Sequence, residues 1–302
     1  MFRHLNLTAA LRRPSTLLIV GCGDIGLRVL RQLRSRWRVL AMSSATDRVH
    51  ELRAAGAVPL YADLDQPTTL ARLAGLADAV LHLAPPPSQG DCDSRTRHLL
   101  GALGRCDRLS TLVYVSTSGV YGDCAGESFD ETRTLAPATA RARRRADAEA
   151  QLRAYGRRSG VRVSILRVPG IYASDRVGGH PRERLRRGAP VLAAADDVYT
   201  NHIHADDLAR ACVAALYRGA AQRVYHACDD SDLLMGEYFD LAADLEPCAR
   251  PARVSRADAA QHFTALQLSF MSESRRLKNR RLKAELRLAL RYPTVREGLA
   301  HG

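Results

Sequence analysis

The stretch that most constrains this chain lies between residues 16 and 36. Thr16-Leu17-Leu18-Ile19-Val20 is a short apolar run rich in strand formers that stops at a glycine, the pattern of a strand buried on both faces. Gly21-Cys22-Gly23-Asp24-Ile25-Gly26 follows. Ile25 to Arg36 then has helical spacing, with Ile25, Val29, Leu30 and Leu33 on one face. A GxGxxG run between a strand and a helix is a phosphate-binding turn. Its first glycine permits the tight turn, its second lets backbone approach a pyrophosphate, and its third lets the helix pack on the strand. The helix N-terminus then faces the phosphates. A tight turn that binds nothing has the same spacing, so the rest of the chain must decide.

Trp37–Met42, Val58–Tyr61, Ala79–Leu83, Thr111–Val115, Arg162–Leu166 and Arg223–Ala227 read as further strands. Between them, 50–55, 68–73, 95–106, 138–157 and 206–216 read as helical. Such alternation predicts an α/β, Rossmann-type fold with a doubly wound parallel sheet. Residues 1–15 read as a loose N-terminal extension and 16–228 as the nucleotide-binding domain. Residues 174–192, rich in Gly, Pro and Arg, read as a loop crossing a cleft. Residues 229–302 read as a small, mostly helical C-terminal lobe that binds substrate. A chain of 302 residues is long enough for that arrangement.

The formal net charge of +13 raises the question of nucleic acid. Only Lys278 and Lys283 are lysines, so 43 of the 45 basic residues are arginine, a usage that reads as base-composition bias more than a selected surface. No motif for reading bases is present, and 5% aromatic residues offer few stacking platforms. Nucleic acid is therefore disfavoured as a partner, whereas arginines favour small anions such as nucleotides and phosphorylated sugars. No segment approaches the roughly 18 consecutive apolar residues of a membrane span. The Arg-bearing N-terminus is too broken for a secretory signal. Seven cysteines, an odd number without metal-ligand spacing, fit a reducing compartment. The expectation is a cytoplasmic protein with no membrane contact and no metal site, with Cys124 a bystander thiol.

Five further segments occur in a telling order. Val113-Tyr114-Val115 leads into Ser116-Thr117-Ser118-Gly119-Val120-Tyr121-Gly122, and Pro137-Ala138-Thr139-Ala140-Arg141-Ala142-Arg143-Arg144-Arg145 enters a helix. Ile165-Leu166-Arg167-Val168-Pro169-Gly170-Ile171-Tyr172, Asn201-His202-Ile203-His204-Ala205-Asp206-Asp207-Leu208-Ala209 and Ser274–Lys283 follow. With the glycine turn, this set resembles the extended short-chain dehydrogenase/reductase family in its atypical branch, the NAD(P)-dependent sugar epimerases and dehydratases, over about residues 16–298.

That resemblance carries expectations residue by residue. Gly21, Gly23, Asp24, Ile25 and Gly26 would cradle the pyrophosphate. Asp63, followed by Leu64, would lie near the adenine, and Leu83 and Ala84 beside the adenosine ribose. At the end of the second strand an NAD site places a carboxylate on the ribose 2′-hydroxyl. Here that end reads Met42-Ser43-Ser44-Ala45-Thr46-Asp47-Arg48. Ser43, Ser44 and Arg48 suit a 2′-phosphate, so NADP is preferred over NAD, with the late Asp47 as the competing choice.

At the reacting end the family uses a Ser/Thr hydroxyl on the substrate oxygen, which falls at Thr117, and a Tyr-x-x-x-Lys pair. The pair falls at Arg141 and Arg145, and residues 133–154 contain neither Tyr nor Lys. Arginine stays protonated at any working pH and cannot carry the proton, although Arg145 suits the nicotinamide ribose and Arg141 an anionic substrate. Tyr121 is the substitute proton donor best placed by analogy, with His82, His202 and His204 behind it. A packed aromatic beside the turn is the competing reading of Tyr121. His204 and Asp206 also read as helix-capping residues, and the basic run 274–283 as a helix facing solvent or an anion. The resulting expectation is hydride transfer on a sugar-nucleotide-like or other anionic small molecule. A non-catalytic NADP-binding regulator or scaffold on the same fold is the alternative. Family members often pair through the helices at 95–106 and 138–157, which allows a homodimer.

Overall fold

The computed structural model describes residues 14–33, 36–104, 108–246 and 248–301. The expected extension falls almost wholly outside them, as does the end of the helix expected to reach residue 106. Seven parallel strands make the central sheet: β1 Ser15–Val20, β2 Trp37–Ser43, β3 Val58–Tyr61, β4 Ala79–His82, β5 Thr111–Thr117, β6 Arg162–Val168 and β7 Arg223–His226. Their order is 3-2-1-4-5-6-7, with all pairs parallel. This is the doubly wound Rossmann-type α/β fold. Such a sheet reverses its winding beside β1, and ligands bind at the carboxyl ends of the strands there.

Alternation along β1 shows how the sequence builds two layers. Leu17 and Ile19 face helix α1 (Asp24–Gln32) and helix α6 (Ala205–Arg218), in a core with Val29, Leu208, Cys212 and Tyr225. Leu18 and Val20 face the other side with Leu99, Leu103, Ala148 and Leu152, which come from α3 (Ser94–Leu103) and α4 (Ala140–Ser159). Burial on both faces is what an uninterrupted apolar strand predicts. Each such fully buried side chain contributes about 1.5–3 kcal/mol.

Three expectations shift in detail. The helix begun at Ile25 stops at Gln32. Residues 67–73 form a 3₁₀ stretch, opened by Pro67 and by a Thr69 N–H donating to the Gln66 carbonyl at 3.0 Å. The basic run is not one helix. Arg276–Leu277 is extended and pairs in parallel with Ser128–Phe129, and only Arg280–Ala284 is helical. The backbone bonds from Arg276 N to Glu127 O (3.1 Å) and from Lys278 N to Phe129 O (2.9 Å) outweigh the helical spacing.

Past β6 the chain forms helix α5 (Arg182–Arg186) inside the expected cleft loop, and α7 (Met235–Leu245) after β7. Short helices α8 (Ala259–His262), α9 (Ala265–Met271), α10 (Arg280–Ala284) and α11 (Val295–Ala300) complete it. Leu185, Val191, Tyr238, Phe239, Ala242, Val295 and Leu299 share a separate apolar cluster with Tyr172. No described helix is long and apolar enough to cross a membrane. None of the six described cysteines is paired.

Candidate active site

At the nucleotide end, the glycines do what their positions require. Gly21 has φ +79°, and a Cβ there would come within 2.7 Å of the Ala84 backbone, so β1 and β4 approach too closely for any side chain. A Cβ on Gly26 would lie 2.7 Å from the Cys22 sulfur, where α1 packs on its strand. A Cβ on Gly23 would meet nothing within 4 Å, so this face of the turn is open. No side chain caps α1. An open glycine at an uncapped helix N-terminus fits the pyrophosphate of a dinucleotide.

The Asp24 carboxylate accepts from Arg28 Nε at 3.0 Å and pairs with Arg176 of the cleft loop. Arg28, 3% exposed, also pairs with Asp206 at 2.5 Å and with Asp175. Burial alone would pull the Arg28 guanidinium down, but Asp175, Asp206 and Asp24 together hold it above the ordinary arginine range. Ile25 packs against the core beside α1.

At the tip of β2 the Ser43 hydroxyl closes a turn on Ala45, accepting from its N–H at 3.1 Å, and Ser44 is exposed. Arg48 folds back, donating to the Cys22 carbonyl at 2.5 Å and pairing with Glu51 at 2.7 Å. The Asp63 carboxylate accepts from the Asp65 N–H at 2.9 Å, Leu64 is buried, and Leu83 and Ala84 both donate backbone N–H groups to the Val20 carbonyl. Gly21 to Gly26, Ser43, Ser44, Arg48, Asp63, Leu64, Leu83 and Ala84 thus sit at the carboxyl ends of β1 to β4, in one row.

The reacting end opens onto a cavity of about 950 Å³. Thr117, Arg141 and Arg145 line it, with Arg144, Arg176, Arg184, Arg187 and Arg275. Thr117 ends β5, and its Oγ1 accepts from the Gly119 N–H at 3.2 Å. Arg145 donates to the Tyr114 hydroxyl at 3.0 Å and to the Val115 carbonyl at 2.8 Å, which fixes it against β5. Arg141, one turn earlier, lies over the Phe270 ring at 4.4 Å. Desolvation lowers its pKa, opposed by the Glu273 carboxylate and reinforced by Arg145, Arg275 and Arg144. Arg144 is 8% exposed and donates to the Gly90 carbonyl at 2.5 Å, while its Nε has no partner. Arg184 lies over Phe239 at 4.3 Å, and its Nε is likewise unpartnered. Among the described residues, no carboxylate pairs with Arg141, Arg144, Arg145 or Arg184.

Tyr121 is a correction. It is 1% exposed, lies outside the cavity lining, and its hydroxyl is fully engaged. Arg167 donates to it at 2.5 Å, and it stands 2.6 Å from His226 Nε2. His226 Nδ1 meets the Lys278 carbonyl at 3.1 Å, so Nδ1 carries the proton and Nε2 accepts from Tyr121. Arg167 pairs with Glu149 at 2.7 Å, and Ser116 donates to the same carboxylate at 2.7 Å. The Tyr121 hydroxyl is thus held inside this chain and forms no part of the cavity wall.

The histidines divide. His82 is 1% exposed against Thr96, behind the wall of the site, and burial pulls its pKa down to about 3. His202 lines the cavity but is stacked on Tyr238 at 4.1 Å, and burial likewise drops it to about 3. His204 caps α6 by accepting from the Asp206 N–H at 3.2 Å, the structural role its position suggested.

Glu273 was missed in the sequence. It is 7% exposed and lines the cavity, and its Oε2 accepts from Arg275 at 2.6 Å. The one available signal was its place as the acid within Ser272-Glu273-Ser274-Arg275, just before the basic run.

The chain was then compared with known proteins. The sequence pattern of the NAD dependent epimerase/dehydratase family matches residues 17–228. A functionally unknown conserved protein from Silicibacter pomeroyi DSS is 30% identical, with a TM-score of 0.79 over 94% of this chain and 96% of that one. The UDP-glucuronic acid 4-epimerase from Bacillus cereus, solved in complex with NAD, is 17% identical, with a TM-score of 0.75 over 94% and 96% of the two chains. A dTDP-glucose 4,6-dehydratase from Streptomyces venezuelae, with NAD bound, is 23% identical, with a TM-score of 0.73 over 94% of each. No curated protein matches.

Proposed function

The chain belongs to the NAD dependent epimerase/dehydratase family, and from that premise we propose that it is an NAD(P)-dependent oxidoreductase or epimerase acting on an anionic, sugar-nucleotide-like small molecule. One observation carries this reading. A cavity lined by four arginines that, among the described residues, have no carboxylate ion pair opens at the strand ends, next to a glycine turn that leaves its Gly23 face free.

Gly21, Gly23, Asp24, Ile25 and Gly26 would hold the dinucleotide phosphates, Asp63 and Leu64 its adenine side, and Leu83 and Ala84 the adenosine ribose. The β2 tip, with Ser43, Ser44 and Arg48 and no acid before Asp47, supports NADP over NAD. When bound, the nicotinamide supplies hydride transfer. Thr117 accepts from Gly119, so its own proton is free to be donated to the reacting oxygen. Arg145 supplies a fixed positive charge suited to the nicotinamide ribose. Arg141, levelled on Phe270, suits an anionic group of the substrate. A homodimer through α3 and α4 is compatible with this arrangement.

Calorimetric titration of cofactor-stripped protein with NADP(H) and NAD(H) tests the reading. Tighter binding of NADP(H) is expected, and no binding of either at millimolar concentration overturns it. The second reading, a non-catalytic NADP-binding regulator, draws support from the arginines at the Tyr and Lys positions. Thr117→Ala separates the two readings. It abolishes turnover while sparing cofactor affinity if the protein is an enzyme, whereas a regulator has no turnover to lose.

A further inference from the structure

We propose that Glu273 is the acid/base group of this site, performing the proton exchange that an arginine at position 141 cannot. The inference rests on the dinucleotide-dependent reading above and assigns to it a proton carrier from the C-terminal lobe.

Placement is the first argument. The segment bearing Glu273 is fastened to residues 122–126, the loop that follows the Thr117 turn. Ser274 donates its N–H to Asp123 Oδ1 at 2.8 Å, and its carbonyl accepts from the N–H groups of Cys124 and Gly126 at 3.1 Å each. Arg275 Nη1 bonds the Gly122 carbonyl at 2.7 Å. Ser274 Oγ also accepts from the Tyr199 N–H at 3.0 Å. These bonds fix the backbone on the C-terminal side of Glu273, and Arg275 holds its side chain at 2.6 Å, on the wall of the cavity that Thr117 also lines.

Open valence is the second. Oε2 is taken by Arg275, whereas Oε1 has no protein partner and is not sealed in. The free oxygen therefore faces the cavity that Glu273 lines. Glu273 and Arg141, the residue at the position of the family's tyrosine, line the same cavity, and the Glu273 charge is the leading favourable one on Arg141. Several other groups lining the cavity are committed elsewhere, while His180 keeps an unpartnered Nε2 that lies 3.8 Å from the Glu246 carboxylate rather than by Thr117. Glu183 pairs with Arg187, Tyr172 donates to the Thr294 carbonyl, and His202 is stacked on Tyr238.

The step balances with a nicotinamide dinucleotide as oxidant. The substrate's carbinol C–H bond breaks and its electron pair leaves with the hydrogen to reduce the dinucleotide. The hydroxyl proton passes to Glu273 Oε1, and the C=O bond forms. In the reverse direction Glu273 returns the proton to the oxygen as hydride arrives at carbon. Thr117 holds that oxygen throughout.

A carboxylate that takes the proton in this step would lie close to the nicotinamide, where negative charge would favour the cationic oxidised form over the neutral reduced one. The test is the ratio of NADP+ to NADPH dissociation constants, by calorimetry, for wild type, Glu273→Gln and Glu273→Asp. Glutamine still accepts from Arg275, so the fold contact survives, and Glu273→Ser serves if glutamine fails to fold. We expect removal of the charge to weaken NADP+ relative to NADPH by about three- to tenfold, with aspartate restoring most of the ratio. A purely structural role would move both affinities together, so an unchanged ratio with both nucleotides still bound overturns the assignment alone. Wild-type protein that binds neither nucleotide overturns the assignment and the reading beneath it.

Discussion

Two groups of arginines flank the turn that carries Thr117, and they are built in opposite ways. Behind the turn, Arg167 is 3% exposed and saturated, with Glu149, Tyr121, His226 and Ser116 closing every bond around it. Arg28, beside the glycine turn, is closed similarly by three aspartates. In front of the turn, Arg141, Arg144 and Arg184 line the cavity against aromatic rings and carbonyls, and among the described residues none of them forms an ion pair, although the Glu273 charge acts on Arg141. Arg144 is buried, Arg184 half-buried and Arg141 exposed. A shielded cation without a counter-charge is costly, so a protein that pairs its other buried arginines and leaves Arg144 and Arg184 open is holding charge for something else. Saturation marks the structural arginines, and under the function proposed above its absence marks those left to meet a ligand.

The largest effect should come from breaking the saturated group. Glu149→Gln leaves Arg167 as a buried, uncompensated cation, and urea unfolding should show a loss of about 3–5 kcal/mol. Gly21→Val comes next. It forces a β-branched residue to φ +79° and into the Ala84 backbone, and calorimetry should record at least about a hundredfold loss of dinucleotide affinity. The open group should behave in reverse. Arg141→Met with Arg184→Met should leave unfolding free energy within about 1 kcal/mol of wild type, yet weaken an anionic nucleotide such as UDP about thirtyfold. A stability loss equal to that of Glu149→Gln would break the comparison.

The smallest effect is on pH. Burial, with the Arg167 charge adding, drops His226 to about 3, below the ordinary 6.5 of an unfolded chain. The unfolded state therefore takes the proton first, and stability present above pH 6.5 is lost as pH falls toward 3. His226→Gln should make the decline between pH 7 and pH 5 shallower by about 1–2 kcal/mol, measured by urea unfolding at the two pH values. An unaltered slope would mean that His226 is not held neutral by its surroundings.

The difference between the two groups also explains what was legible in the sequence. The sheet was legible because strands such as Leu17–Val20 are apolar on both faces, and local pattern reports burial directly. The glycine turn was legible because Gly21 and Gly26 answer local needs, a positive φ and a close helix–strand contact. Thr117, Arg141 and Arg145 were legible by position along β5 and α4. Whether a tyrosine or an arginine faces a cavity is a matter of partners distant in sequence. Tyr121 lies 105 residues from His226, and Arg275 lies 153 from Gly122. Those separations turned the plausible Tyr121 away from the cavity and brought the unremarked Glu273 to it. The basic run 274–283 had helical spacing, but the edge offered by Ser128–Phe129 decided its conformation.

The central claim is that the cavity's positive charge is kept open for an anion. It is tested most directly by equilibrium unfolding with and without millimolar inorganic pyrophosphate, comparing wild type with Arg141→Met/Arg144→Met/Arg184→Met. The account predicts that pyrophosphate stabilises the wild type measurably, as a ligand bound by the folded state must, and stabilises the triple variant far less. Equal stabilisation of both proteins, or of neither, would contradict it.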